Sequence, residues 1–399
     1  MKPIADAAKN IAPSATLSID ALAKKMKADG LPVIGFGAGE PDFNTPEHIK
    51  DAGIAAIRAN QTRYTPSAGI LPLREAICDN IRKNFGISYT PDQIVVSSGA
   101  KHNLYIAMQT LFNPGDEVIL PAPYWVSYEE AIKMTHAIPV IVETSEEDNF
   151  KMTPEMLRAA ITDRTKCVVL TNPSNPTGMV YSGEELRALA EVIREADLYV
   201  ISDEIYHVLT YRGEHVSIAS LDLDMQDRTI FINGVSKTYA MTGWRVGYAA
   251  ARPDIAKVMS NYLSHSTGSA CNIAQYAALE AYRSSDDEAY RMRDAFDERR
   301  RYFVERVRAI DGVSCLEPDG AFYIFMNIKP MIGQTLYGKT IENSGDFASL
   351  LLEKALVAVV PGTAFGVDGY LRWSYATSMD NIREGLDRLE KFLRGEEVL

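Results

Sequence analysis

The 399-residue chain predicts an α/β protein. A mostly parallel sheet covered by helices forms a large domain, and a smaller α+β domain follows it. The first sign is a series of near-continuous apolar runs alternating with helix-like segments through the middle of the chain, the pattern of strands buried on both faces. The second is a change after about Asp319 to shorter strands and two helices. The third is length, which suffices for a large core and points to two domains.

The elements are read in chain order. Ser14 to Asp29 carries Leu17, Ala21 and Leu22 at helical spacing. Gln93 to Ser97 is a buried strand, and Ala100 to Leu111 a helix stopped by Asn113-Pro114-Gly115. Glu117 to Leu120 is a short strand expected to close at Pro121, and Lys166 to Leu170 is another. Ser182 to Glu195 is a helix with Ser182 as N-cap and Glu184 and Glu185 in its first turn. Leu198 to Ser202 and Thr229 to Asn233 are further strands. The end of the chain reads as Phe322 to Met326, Phe347 to Leu356, Val357 to Val360, Tyr370 to Tyr375 and Met379 to Leu393. The expected division is residues 1–45 joining the small domain, 46–318 as the large domain and 319–399 as the small one. Ligands of such sheets sit outside the carboxyl ends of the strands.

A net charge of −12 argues against nucleic acid and an anionic membrane surface as partners. It leaves room for a local basic pocket and a small anionic substrate. The cysteines Cys78, Cys167, Cys271 and Cys315 are scattered without metal-ligand or redox spacing, so no metal site is expected. Cys167 opens an apolar strand and reads as a packed thiol, and a reducing, cytoplasmic setting follows. Met1-Lys2-Pro3-Ile4-Ala5-Asp6 lacks the apolar run of a signal peptide. No stretch reaches the roughly 20 apolar residues of a membrane span.

The stretch from Ser236 to Gly247 carries the chemistry. Lys237 follows the apolar run Thr229 to Val235, and Arg245 comes eight residues later, before the run Val246 to Ala251. A lysine held at the end of a buried strand can lose its proton and attack a carbonyl. An arginine and a serine hydroxyl beside it make a phosphate site. Together they suggest a Schiff-base lysine next to a phosphorylated aldehyde, pyridoxal 5'-phosphate. Asp203 ends its strand run; it suits either a protonated pyridine nitrogen or the N-cap of the next segment, and Tyr206 lies three residues on. Thr171 to Gly178 is a loop with a double Asn-Pro frame, in which Pro176 holds Asn175 extended. Ser97-Ser98-Gly99-Ala100-Lys101 joins a strand to a helix N-terminus, where exposed amides bind anions.

The string from Ser236 to Gly247 closely resembles the lysine signature of class I aminotransferases of fold type I. The resemblance extends roughly from Ser14 to Arg388. It looks closest to the prokaryotic aspartate aminotransferase branch through Ala38 to Thr45, Pro121 to Tyr128 and Gly243 to Ala250. It implies an enzyme that moves an amino group between aspartate or glutamate and 2-oxo acids by ping-pong chemistry, as a homodimer with shared sites. Lys237 would hold the cofactor, Asp203 its ring nitrogen, and Tyr206 and Asn175 its ring oxygen. Gly99, Ala100, Lys101, Ser236 and Arg245 would cup its phosphate, joined by Tyr64 of the neighbouring subunit. Trp125 would stack on the ring, Arg372 would clamp the substrate α-carboxylate, and the backbone near Gly39 would close over the substrate. Lys101 with Ser14 or Thr16 would meet a distal carboxylate. No arginine matches the trans-subunit clamp of the animal-type enzymes. Transamination of prephenate or aromatic amino acids, or a C–S lyase reaction, would use the same residues.

Overall fold

The structure, a computed structural model, describes residues 2–4, 9 and 11–398. The signal-peptide reading leans partly on Met1, Ala5 and Asp6, which lie outside the described residues.

The central sheet has seven strands in the order Ile94–Ser97, Gly247–Ala250, Thr229–Gly234, Tyr199–Asp203, Thr165–Thr171, Glu117–Ala122 and Ile138–Glu143. Only Gly247–Ala250 runs against its neighbours, so the sheet is mostly parallel as its apolar runs predicted. Alternate residues of one strand serve opposite faces. Val96, Phe231 and Tyr248 pack with Leu73, Ile77 and Ala278 from helices on one side. Val95, Ile230, Ile232 and Ala249 pack with Leu104, Met108 and Leu263 on the other. This two-sided cover explains why the strand sequences lack a polar alternation.

A second sheet has four antiparallel strands in the order Val360–Pro361, Tyr370–Ser374, Tyr323–Asn327 and Ser314–Cys315. Its core gathers Phe36, Phe303, Phe322, Trp373 and, from helix Met379–Leu393, Ile382, Leu386 and Leu389. Ile34–Gly35 pairs in parallel with Val357–Ala358 and ties the N-terminal segment to this part of the molecule. The helix Ala15–Ala28 starts after its N-cap Ser14 and is followed by its C-cap Asp29, within the predicted span. Ser182 caps Gly183–Glu195 in a reciprocal box with Glu185, with N–H to side-chain oxygen distances of 3.2 and 2.7 Å.

Two expectations are corrected. The strand predicted to close at Pro121 runs on to Ala122. Its pairing with the strand Thr165–Thr171 ends at Ile119, so Pro121 pairs only with Ile138–Glu143 and its missing N–H interrupts no two-sided ladder. The single strand expected over Val357 to Val360 is two short ones. The chain changes partner at Val359, from Ile34–Gly35 to Tyr370–Ser374.

Candidate active site

A cavity of about 420 Å³ opens where the carboxyl ends of the parallel strands meet the second sheet. Strand Tyr199–Asp203 delivers Asp203 to its floor. Asp203 is buried, accepts the Tyr128 hydroxyl at 2.8 Å and the Ile205 N–H at 3.3 Å, and among the described residues no cation is in hydrogen-bond contact with it. The second of these bonds is a local turn contact; the N-cap alternative is not taken up, because Tyr206 is the N-cap of the next helical segment, His207–Leu209. Burial pushes its carboxyl up to about 6, against the opposing pull of the Tyr128 hydrogen bond.

Lys237 lies one turn beyond the end of its strand, on the four-residue helix Val235–Thr238. Its Nζ donates to the Gly39 carbonyl and lies 5.9 Å from the Phe322 ring centroid. Desolvation lowers its ammonium to about 8, opposed by Glu40 and reinforced by Arg245 and Arg372. A lysine amine in that range exchanges protons readily at neutral pH.

One end of the cavity is built for an anion. Helix Ala100–Leu111 starts there with no side chain capping its first-turn N–H groups. Gly99 precedes it at φ +91°, and a Cβ there would strike the Arg245 guanidinium. Gly247 allows an equally close approach, since its Cβ would strike the Ala100 nitrogen. Arg245 adopts a left-handed φ of 57°. It donates to the carbonyls of Thr242 at 2.9 Å and Ser98 at 3.2 Å, which leaves guanidinium donors over. Ser236 lines the same end.

The opposite side is built for another anion. Arg372 is only 2 % exposed, although a strand arginine would ordinarily be solvated. It donates to Asn175 Oδ1 at 3.0 Å and to the Gly37 carbonyl at 2.7 Å, while its Nε has no partner among the described residues. Its guanidinium carbon sits 4.4 Å from the Tyr323 ring centroid. No carboxylate among the described residues pairs with it, and burial lowers its pKa. A buried cation in this condition calls for an anionic ligand.

Lys101 stands at the mouth with its Nζ 4.8 Å from the Trp125 ring centroid. Desolvation, then Arg245, holds it below the usual lysine range. Ser14 and Thr16 line the mouth too and share a hydrogen bond of 3.0 Å. The cavity thus brings together Ser14, Thr16, Gly39, Ala100, Lys101, Trp125 and Asn175. It also takes in Asp203, Tyr206, Ser236, Lys237, Arg245 and Arg372. Gly99 lies just behind the wall, against Arg245. Tyr64 is fully exposed and takes no part in the cavity of its own chain.

Sequence reasoning missed two tyrosines. Tyr128 holds Asp203; its spacing of three from Trp125 was the available signal. Tyr323 shares a 2.8 Å hydrogen bond with Tyr206 and lies under Arg372, yet on an apolar strand it reads as core. Among the described residues no cluster of acidic, histidine or cysteine side chains could hold a metal ion, and no helix is long and apolar enough to cross a membrane.

A nucleophilic lysine between two anion sites, at the carboxyl ends of a parallel sheet, defines an enzyme acting on small anionic molecules. Residues 32–389 match the family described as aminotransferase class I and II, and the chain belongs to it. It is 47% identical over 385 residues to the aspartate aminotransferase of Geobacillus stearothermophilus, covering 96% of this chain and 97% of that protein. It is 43% identical over 387 residues to the aspartate/prephenate aminotransferase of Nitrosomonas europaea, covering 96% and 98%. The crystal structure of the aspartate aminotransferase from Rhizobium meliloti superposes with a TM-score of 0.95 at 40% identity, covering 99% of each chain. The fold is therefore type I α/β, and the chain is an aminotransferase.

Proposed function

We propose that this aminotransferase moves the amino group of aspartate or glutamate to 2-oxo acids, using pyridoxal 5'-phosphate bound at Lys237. The observation that carries the reading is Lys237, lowered to about 8, between the uncapped helix start beside Arg245 and the unpaired Arg372. The residues fit the cofactor. Spare donors at Ala100, Ser236 and Arg245 suit a phosphate, and buried Asp203, with no cation in hydrogen-bond contact among the described residues, suits a protonated ring nitrogen. Trp125 would offer the ring a flat face, and Tyr206 and Asn175 would serve its oxygen.

When bound, the cofactor supplies an electrophilic aldehyde carbon and a ring that draws electrons from the substrate's Cα. Arg372 orients the amino acid by its α-carboxylate. Lys101, with Ser14 or Thr16, meets the distal carboxylate, and the carbonyl of Gly39 holds Nζ over the cavity. Lys237 Nζ would carry the proton between the substrate's Cα and the cofactor's aldehyde carbon. A positioned base of this kind contributes about 10²–10⁴-fold. Asp203 would stay ionised beside a protonated ring nitrogen. Donor and acceptor alternate on one site, so the kinetics are ping-pong.

We further propose a cytoplasmic homodimer in which exposed Tyr64 reaches the phosphate of the neighbouring copy. The division at residues 45 and 318 is proposed with it. The name of the Nitrosomonas europaea relative favours a second reading, in which prephenate shares the site with aspartate. A half-reaction panel tests both: each amino acid is added to the yellow enzyme and conversion of the cofactor to its amine form is followed, then prephenate, an oxo acid, is added to the amine form and return of the yellow form is followed. Aspartate and glutamate are expected to convert it fastest. Conversion by aromatic amino acids alone refutes the dicarboxylate reading.

A further inference from the structure

Tyr323 stands where the two halves of the cavity meet. It begins the strand Tyr323–Asn327 of the second sheet, while Tyr206 follows the strand Tyr199–Asp203 of the first. Both phenols are buried, and their hydroxyls lie 2.8 Å apart. The face of the Tyr323 ring carries the Arg372 guanidinium at 4.4 Å. That cation has no carboxylate partner among the described residues, so its plane is set by the hydrogen bonds to Asn175 and Gly37 and by the rings of Tyr323 and, at 5.0 Å, Phe365. The space is tight, since a Cβ on Gly39 would come within 3.0 Å of the Tyr323 hydroxyl. One side chain therefore touches both the group facing the ring oxygen and the group awaiting the substrate carboxylate.

We propose that Tyr323 is a positioning residue with two separable tasks: its hydroxyl strengthens Tyr206 as a hydrogen-bond donor, and its ring fixes the plane of Arg372. The inference rests on the reading of the site given under Proposed function. When Tyr206 donates to an anionic ring oxygen, its own oxygen becomes the acceptor for the Tyr323 hydroxyl. A hydrogen bond donated into a phenol makes that phenol a better donor. Loss of the Tyr323 hydroxyl therefore weakens the hold on the anion and raises the pKa of the lysine–cofactor chromophore. Loss of the ring uncovers one face of Arg372 and lets it tilt about its hydrogen bonds to Asn175 and Gly37, which weakens a bidentate carboxylate contact.

The test uses the holoenzyme and two readouts apart from turnover: the spectrophotometric pKa of the chromophore and the affinity for succinate, a dicarboxylate without an amino group. Tyr323→Phe is expected to raise the pKa by about 0.5–1 unit, the scale of one net hydrogen bond, and to leave succinate affinity within about twofold. Tyr323→Leu is expected to raise the pKa similarly and also to weaken succinate by about 3–10-fold, the scale of a lost cation–π contact. In a Tyr206→Phe background, Tyr323→Phe is expected to move the pKa by less than about 0.2 unit, because the relay it feeds is gone. An unchanged pKa in Tyr323→Phe, or an equal shift with and without the Tyr206 hydroxyl, overturns the relay. Equal succinate affinity in the phenylalanine and leucine variants overturns the ring's role. If the leucine variant does not fold, Tyr323→Met takes its place in testing the ring, and the cycle with Tyr206 still decides the relay. A protein without any titrating chromophore at cofactor saturation would instead sink the parent reading.

Discussion

Replacing Arg372 by leucine takes away the buried cation that faces the cavity from the second sheet. Its five N–H groups divide clearly in the structure. One goes to Asn175 Oδ1 and one to the Gly37 carbonyl, while Nε and one hydrogen on each terminal nitrogen remain over. Two of these three suffice for a bidentate carboxylate contact. Each charge-assisted bond is worth about 1.5–3 kcal/mol, so the pair contributes about 3–6 kcal/mol, or roughly 10²–10⁴-fold in kcat/KM. The assay is stopped-flow amination of the cofactor by aspartate, with a simple amine lacking a carboxylate as the control. The variant is expected to lose roughly 10²–10⁴-fold with aspartate and little with the amine. Thermal melting checks the fold, since the Asn175 and Gly37 oxygens lose a donor. A loss below about fivefold, or an equal loss with the amine, would refute the clamp.

Lys101→Ala is expected to reduce kcat/KM for aspartate and glutamate by about 10-fold or more, and for alanine by less than threefold, as one charge-assisted contact disappears. Equal losses would remove Lys101 from substrate recognition. Asp203 makes a prediction about stability against pH. Its carboxyl sits at about 6 in the folded chain against 3.8 as the ordinary value, so the folded state binds that proton more firmly than the unfolded one. In the cofactor-free protein its contribution to stability therefore falls as pH rises from 3.8 to about 6, and stays lost above. Asp203→Asn is expected to melt higher than the parent at pH 7, by at most about 3 kcal/mol, while the gap closes near pH 4. The same variant should bind the cofactor more weakly. A lower melting temperature at pH 7 would contradict the burial argument.

Residues that end an apolar run were the legible part of the site. Lys237, Asp203 and the Gly99 turn each follow a strand whose composition marks it as buried, and parallel strands gather their carboxyl ends. Arg372 was legible as a charge on an apolar strand, but its depth was not: only the packing of Phe365 and Tyr323 around it leaves it dry. Tyr323 stayed hidden because its neighbours on the strand are apolar, and a phenol there reads as core until its partner is seen. That partner, Tyr206, is 117 residues away, a distance no local pattern spans. Pro121 misled for a related reason, because whether proline ends a strand depends on which neighbours need its N–H. The break at Val359 likewise depends on a partner strand near the N-terminus. Local chemistry was written in the chain, whereas pairwise geometry arose from folding.

The account's central claim is that the amine of Lys237 is the attachment point of the cofactor. Cofactor-saturated protein is reduced with borohydride, digested, and its peptides mapped by mass spectrometry. The account predicts a pyridoxyl group fixed on the peptide containing Lys237, and none in Lys237→Ala. A reduced adduct on another lysine, or no adduct from a saturated preparation, would contradict it.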